Sequence, residues 1–179
     1  LYNSTILSTT LPAFGSFTFP LVIAANSLTP GLTYTFTVSA MYSNLGTSAV
    51  LATLGVIVND APLTGVILVN PASKQGNAVE TLFSLSTVSW SDPENDNPMS
   101  FSFDYYTRHA TSTYSIKSKS STPYVNNAVF SQGYADLQYA VWCVVTCYDS
   151  LGSMSSKTVV LTVLPLDSDA LYDRRRRLQ

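Results

Sequence analysis

Alternation of apolar and polar residues is the main pattern along this chain, and it predicts β-strands. In "LTYTFTVSAMY", Tyr34, Phe36 and Val38 alternate with threonine and serine, as in an antiparallel strand with one buried face. Further runs of this kind are at residues 16–24, 49–58, 65–69, 81–90, 99–106, 114–117, 137–148 and 156–164. Helical periodicity is nearly absent, and clusters such as "TPG", "SNLG" and "DSLG" place turns between the strands. The pattern predicts an all-β, antiparallel fold.

An internal repeat divides the chain. "VSAMYSNLGTSA" aligns with "VVTCYDSLGSMS", about a domain length further on. The alignment pairs Val38 with Val144, Tyr42 with Tyr148, Leu45 with Leu151 and Gly46 with Gly152. Each copy has a strand, a turn ending in Leu-Gly and a second strand, as in the final hairpin of an immunoglobulin-like sandwich. We therefore predict tandem sandwiches, with a complete one at residues 61–166, the C-terminal half of another at 1–60, and a basic linker or tail at 167–179.

A half-sandwich exposes strand edges and an apolar inner face, so it needs partner strands. Either these strands come from a longer protein of which this chain is a stretch, or residues 1–60 add to the following domain. We favour the longer protein. The expected partners are the remainder of that chain, other extracellular domains or copies of itself.

Residues 58–106, "VNDAPLTGVILVNPASKQGNAVETLFSLSTVSWSDPENDNPMSFSFDYY", followed by "VVTCYDSLG", resemble the receptor-for-egg-jelly (REJ) region of polycystin-type extracellular proteins. The resemblance covers about the last two thirds of the chain. Its matching residues are Pro62, Gly65, Pro71, Gly76, Phe83, Trp90, Asp92, Pro98, Phe101, Phe103, Tyr105, Asp149, Leu151 and Gly152. The preceding "LTPGLTYTFTVSA" is similar to the later strands of a fibronectin type III or PKD-like module.

The resemblance implies tandem immunoglobulin-like sandwiches on the outer surface of a cell or cilium. Such modules serve as stalks, spacers or adhesive arrays and have no enzymatic activity. We therefore expect a structural module of a large extracellular glycoprotein. The alternative is a glycan- or ligand-binding module that uses Tyr105, Tyr106 and Tyr114 beside the acidic loop.

The composition of the chain argues against two classes of partner, nucleic acids and the membrane interior. Charged residues make up 11% of the chain and the formal net charge is -2, so no nucleic-acid footprint is present. The longest apolar runs, such as "PLVIAA" and "AVWCVV", are much shorter than the roughly 18 residues of a membrane span. We expect neither nucleic-acid binding nor membrane insertion by this segment.

The loop "SDPENDNP" is a candidate metal-binding site. Asp92, Glu94 and Asp96 alternate along it, and oxygen ligands at alternating positions of a tight loop are typical of Ca²⁺ sites. The glycine and distal glutamate of an EF-hand are missing, and Pro93 stiffens the segment. The alternative is a polar turn in which the side chains bond local backbone. No cofactor other than Ca²⁺ is suggested.

An enzyme is not predicted. The chain's one histidine, His109, has no neighbouring thiol or serine motif to activate and no second histidine with which to share a metal. The three acids of the loop offer no shaped cleft for paired-carboxylate chemistry.

The strand at residues 137–148 is apolar on both faces. One face is a candidate interface with a neighbouring domain or subunit, the alternative being a bulge that shifts the register. The candidate interface residues are Tyr139, Val141, Cys143, Val145 and Cys147. Four strand steps separate the two cysteines by about 13 Å, which is too far for a disulfide between them. Each is a buried free thiol or is paired outside this chain.

Four aromatic residues have expected structural roles. Trp90 and Trp142 are predicted in the core between the sheets. Tyr34 and Tyr139, each early in a late strand, are candidates for a tyrosine corner, in which the hydroxyl bonds backbone upstream.

Two terminal segments suggest modification. Asn3-Ser4-Thr5 is a glycosylation sequon if the chain is secreted. The basic run is a linker, a contact with an acidic neighbour or a processing site, and it comprises Arg174, Arg175, Arg176 and Arg177.

Overall fold

The computed structural model describes residues 21–41 and 48–166, and the fold there is all-β. Its strands are β1 (Thr33–Ala40), β2 (Val50–Ile57), β3 (Val66–Asn70), β4 (Gln75–Asn77), β5 (Phe83–Val88), β6 (Ser100–Tyr106), β7 (Tyr114–Ser120), β8 (Tyr124–Ala128), β9 (Ala140–Tyr148) and β10 (Met154–Leu164). The one helical element in these residues is a 3₁₀ turn, Ala135–Leu137. No helix of the described residues is long and apolar enough to cross a membrane.

Strands β3 to β10 form two packed sheets. One has the order β3-β5-β8 and the other β4-β10-β9-β6-β7. All strand pairs are antiparallel except β4 with β10. The chain crosses repeatedly from one sheet to the other, and the pairs β6–β7 and β9–β10 are hairpins within the five-stranded sheet. Two antiparallel sheets packed face to face in this way form an immunoglobulin-like sandwich. The predicted all-β, antiparallel fold is confirmed.

The core lies between these sheets. Phe83 and Leu85 from β5 face Phe103 from β6, Val145 from β9 and Leu161 from β10, and all five side chains are fully buried. Phe83 and Leu85 lie two positions apart in β5 and so point to the same face, as the period-two pattern of the sequence predicts. Phe130, in the segment after β8, closes one side of the core by edge-to-face contacts with Phe83 and Tyr105.

Strands β1 and β2 form a separate two-stranded sheet. Their register pairs Tyr34 with Val56, Phe36 with Leu54 and Val38 with Ala52. The apolar residues of β1 therefore share one face with four residues of β2, whereas Leu51 and Ile57 of β2 lie on the opposite face. The hydroxyl of Tyr34 accepts a hydrogen bond from the backbone N–H of Thr29 at 2.9 Å, which confirms the predicted tyrosine corner. No such bond is present for the hydroxyl of Tyr139 within residues 21–41 and 48–166.

Some elements differ from the sequence prediction. Residues 21–24 are not a strand, and the rest of the run predicted at 16–24 lies outside the described residues. Strands β4 and β8 were not predicted. β4 has only three residues, and "YVNNA" of β8 contains adjacent asparagines in place of an apolar–polar alternation. The pairing of β8 with β5 is also irregular. Trp142 was wrongly predicted in the core, since the buried side chains of β9 are those of its neighbours in sequence.

Candidate functional site

The acidic loop between β5 and β6 folds around Asp92. Its Oδ1 accepts hydrogen bonds from the backbone N–H groups of Glu94 at 3.0 Å and Asp96 at 2.9 Å. Each of these three acids has a carboxylate oxygen, and the three oxygens lie within 4.8 Å of one another. Asp92 is 7% exposed, whereas Glu94 and Asp96 are half-buried. The structure thus brings together the three acids that the sequence singled out.

The loop between β9 and β10 contains a second buried acid that sequence analysis did not propose as functional. Asp149 Oδ1 accepts the backbone N–H groups of Leu151, Gly152 and Ser153 at 2.9, 2.5 and 2.9 Å. Its Oδ2 accepts the side-chain amide of Asn59 at 2.7 Å. A single carboxylate therefore shapes the "DSLGS" turn and connects it to the segment that precedes β3.

Hydrogen bonds join these segments at one end of the sandwich. The N–H of Ser150 donates to the carbonyl of Asp96 at 3.0 Å, and the N–H of Leu63 donates to the carbonyl of Ser91 at 2.7 Å. The Asn59 amide also reaches Ser153 Oγ at 2.8 Å. We call this region the acidic end, meaning residues 59–63, 91–98 and 149–153.

The pKa of the Asp149 carboxyl lies below its usual range. Burial alone raises this pKa by removing water from the charged form, but the hydrogen bonds from Asn59 and from the N–H groups of Gly152, Ser153 and Leu151 act in the opposite direction and prevail. Asp149 is therefore a structural anion and not a proton donor or acceptor near neutral pH.

The candidate interface residues of β9 are part of the core. Val141, Cys143, Val145 and Cys147 are fully buried against the other sheet, and Tyr139 is half-buried just before the strand. β9 pairs with β6 and β10 without a register shift, so the alternative of a bulge does not apply. A neighbour of this strand would contact the opposite face, which carries Trp142 and Val144.

Both cysteines are free and buried, in agreement with the expectation that they do not bridge each other. Burial raises the pKa of Cys143 to about 12. Burial also raises the pKa of Cys147 to about 11, with smaller contributions from the negative charges of Asp149 and Asp92.

We expect neither thiol to react with a thiol-specific reagent at pH 8 in the folded protein. The thiolate is the reactive form, and at these pKa values less than about 1% of each thiol is ionised. The measurement is colorimetric titration before and after denaturation, with both thiols expected to react only after it. Rapid labelling of the folded chain would contradict the buried positions.

The aromatic residues proposed for ligand binding lie far from the acidic loop. Tyr105 and Tyr106 end β6, which begins next to that loop, so about 20 Å of strand separates them. Tyr106 stacks on Trp142, with ring centroids 5.4 Å apart and planes 3° from parallel. Placing this group beside the acidic loop was therefore wrong. His109 is exposed in the turn that follows β6.

The predicted modification sites, Asn3 and Arg174 to Arg177, lie outside the described residues and stay predictions.

The REJ domain model matches residues 2–176. The chain belongs to the REJ domain family. The resemblance stated from sequence is thereby confirmed, and the match extends well upstream of the residues that suggested it. None of the curated proteins matches the REJ chain. A solved structure, rat CD45 extracellular region domains d3–d4, is similar at 11% identity and a TM-score of 0.39, over 89% of this chain and 82% of that one.

Two REJ motif residues have a clear packing role. An added Cβ at Gly65 would lie 2.2 Å from the Val88 carbonyl oxygen and 2.5 Å from Trp90 Cδ1. Gly65 thus gives Trp90 the space to contact Phe101 edge-to-face, at 6.3 Å between centroids. The indole N–H of Trp90 donates to Thr87 Oγ1, which satisfies the polar atom of a half-buried ring. These two motif positions therefore support the packing of the fold.

Proposed function

We propose that this REJ chain is a structural module of a large extracellular surface protein and serves as a spacer and lateral-association unit. Membership of the REJ family indicates a domain of a larger protein and suggests an extracellular, non-catalytic module. The observation that carries the finer proposal is the exposed apolar face of the β1–β2 hairpin.

This hairpin face has the composition of a sandwich interior. Its residues are Tyr34, Phe36, Val38, Ala40, Val50, Ala52, Leu54 and Val56. Val50 and Leu54 nevertheless expose 73% and 64% of their surface. The opposite face of β1 is formed by threonine and serine, as on the wet side of a sheet.

A two-stranded sheet is only marginally stable in water, and an apolar face of this kind is normally covered. The hydrogen bond of the Tyr34 hydroxyl and the internal repeat support an assignment of β1 and β2 as the last hairpin of a sandwich, the position that β9 and β10 hold in the next one. The occupant that fits is therefore the remaining sheet of a preceding sandwich, supplied by the larger protein. Modules joined in this way form a linear array, which holds the segments at its two ends apart.

The first experiment is on the native protein from its source. We expect it to have a mass far above that of this chain, to be accessible to proteases added outside the cell, and to be elongated by electron microscopy. Each measurement is repeated with a chelator and with a reductant. A compact, soluble protein of the mass of this chain would contradict the proposal.

A variant pair tests the hairpin face itself. We expect Leu54→Ser to weaken concentration-dependent self-association of this chain in analytical ultracentrifugation. Without its partner sheet, the exposed apolar face associates with the same face of another copy. Leu51→Ser is the matched control, since Leu51 is in the same strand, is 63% exposed and lies on the opposite face. Equal behaviour of the two variants would show that this face is not the docking surface.

A glycan- or ligand-binding module is the second candidate function. A depression of about 440 Å³, at the end of the sandwich opposite the acidic end, is lined by Tyr114, Tyr134 and Tyr139. Aromatic rings beside polar groups suit stacking against a sugar ring. Titration with neutral oligosaccharides at millimolar concentration tests it, with loss of binding expected for Tyr114→Ala but not for Tyr124→Ala, which lies on β8.

A further inference from the structure

We propose that the acidic end binds a calcium ion through the carboxylates of Asp92, Glu94 and Asp96. This inference does not depend on the spacer role, because it rests on oxygen geometry and on unsatisfied buried atoms. It goes beyond the sequence pattern, which left a polar turn as the alternative explanation.

The spacing of the three carboxylates fits one ion. Ca²⁺ bonds oxygen at about 2.3–2.6 Å, so two ligands of one ion lie at most about 5 Å apart. The three oxygens all lie within 4.8 Å of one another. Ca²⁺ also accepts a flexible set of six to eight oxygen ligands, whereas Mg²⁺ demands a near-ideal octahedral arrangement.

Unpartnered buried oxygens are the independent observation. Asp92 Oδ2 is buried without a hydrogen-bond partner, although Oδ1 of the same carboxyl accepts two backbone N–H groups. Glu94 Oε2 is also buried and unpartnered. A polar turn satisfies Oδ1 and leaves these two oxygens unexplained, whereas buried polar atoms in folded proteins nearly always have a partner. A cation supplies that partner to both at once.

The charge around the cluster favours a cation. Three carboxylates this close repel one another unless a positive charge lies among them. The ion pair found in residues 21–41 and 48–166 is elsewhere, between Arg108 and Asp136. Asp149, held as an anion, adds negative charge at the same end. Asn59 Oδ1, a third unpartnered buried oxygen, also belongs to the acidic end.

The test is calorimetric titration of the metal-stripped chain with CaCl₂. We expect one site with a Kd of about 0.1–1 mM, the range of extracellular calcium modules, and a rise in Tm of about 3–8 °C in 2 mM Ca²⁺. Glu94→Gln should weaken binding at least about tenfold and remove the Tm shift. Glu80→Gln is the matched control, because Glu80 is exposed and is not one of the three clustered acids.

Both variants are checked for folding by circular dichroism, and Asp96→Asn replaces Glu94→Gln if the latter does not fold. No heat and no Tm shift at 10 mM Ca²⁺ in the parent chain would overturn the proposal. Binding by Glu94→Gln as tight as that of Glu80→Gln would overturn the ligand assignment. An equal response to Mg²⁺ would overturn the assignment to calcium.

Discussion

Replacing Asp149 with asparagine is expected to lower the free energy of unfolding at pH 7 by about 2–4 kcal/mol. Hydrogen bonds to a charged acceptor contribute roughly 1.5–3 kcal/mol each, and an asparagine keeps the shape of the side chain but loses the charge. Its amide nitrogen would also face N–H donors where Asp149 now presents an acceptor. The carboxylate is 2% exposed, so water cannot take over these bonds. Urea unfolding at constant pH measures the difference.

The same substitution should change how stability depends on pH. Because the pKa of Asp149 is lower in the folded state, its stabilisation is fully present above the unfolded-state pKa of about 3.9 and is lost as the pH falls through the folded-state pKa. The gap between the parent chain and Asp149→Asn should therefore be constant from about pH 7 to 5 and narrow on further acidification.

Asp136→Asn is the control for this experiment. Asp136 makes an exposed ion pair with Arg108, and such pairs contribute less than about 1 kcal/mol. Its curve should stay close to that of the parent at every pH. A gap for Asp149→Asn that does not narrow in acid would show that its effect comes from packing and not from the charged carboxylate.

The sequence was sufficient to predict the long strands, because their alternation is set by the same two-residue period that buries Phe83 and Leu85 in β5. It was not sufficient where pairing partners determine the structure. β8 is a strand because it lies beside β5, although its own residues are mostly polar. The face of β9 was ambiguous since both faces are apolar, and only the second sheet decides that Cys143 points inward and Trp142 outward.

The acidic cluster was predicted from spacing within one loop, which is local information. The role of Asp149 was not predicted, because its partner Asn59 lies 90 positions away in the chain. The signal available was the Leu-Gly turn after Asp149, where a carboxylate can accept successive backbone N–H groups. The aromatic residues were misplaced for a related reason, since neighbours in sequence at the two ends of a strand are far apart in space.

Truncating Leu85 to alanine is expected to cost about 2–5 kcal/mol of the free energy of unfolding. Leu85 is 0% exposed at the centre of β5, the middle strand of the three-stranded sheet. Removing its side chain loses the apolar burial and leaves a cavity against the five-stranded sheet. Thermal and urea unfolding should both report the loss, with an unchanged far-ultraviolet circular dichroism spectrum below the transition.

Leu82→Ala is the matched control, three positions earlier and 55% exposed. The same atoms are deleted there with little burial to lose, so we expect a change below about 0.5 kcal/mol. Leu85→Met, which nearly conserves volume, should cost less than about 1.5 kcal/mol and separates the cavity from any effect on the strand itself. Equal losses for Leu85→Ala and Leu82→Ala would mean that residues 66–164 do not pack as one two-sheet core. The immunoglobulin-like arrangement would then not be what stabilises this REJ chain.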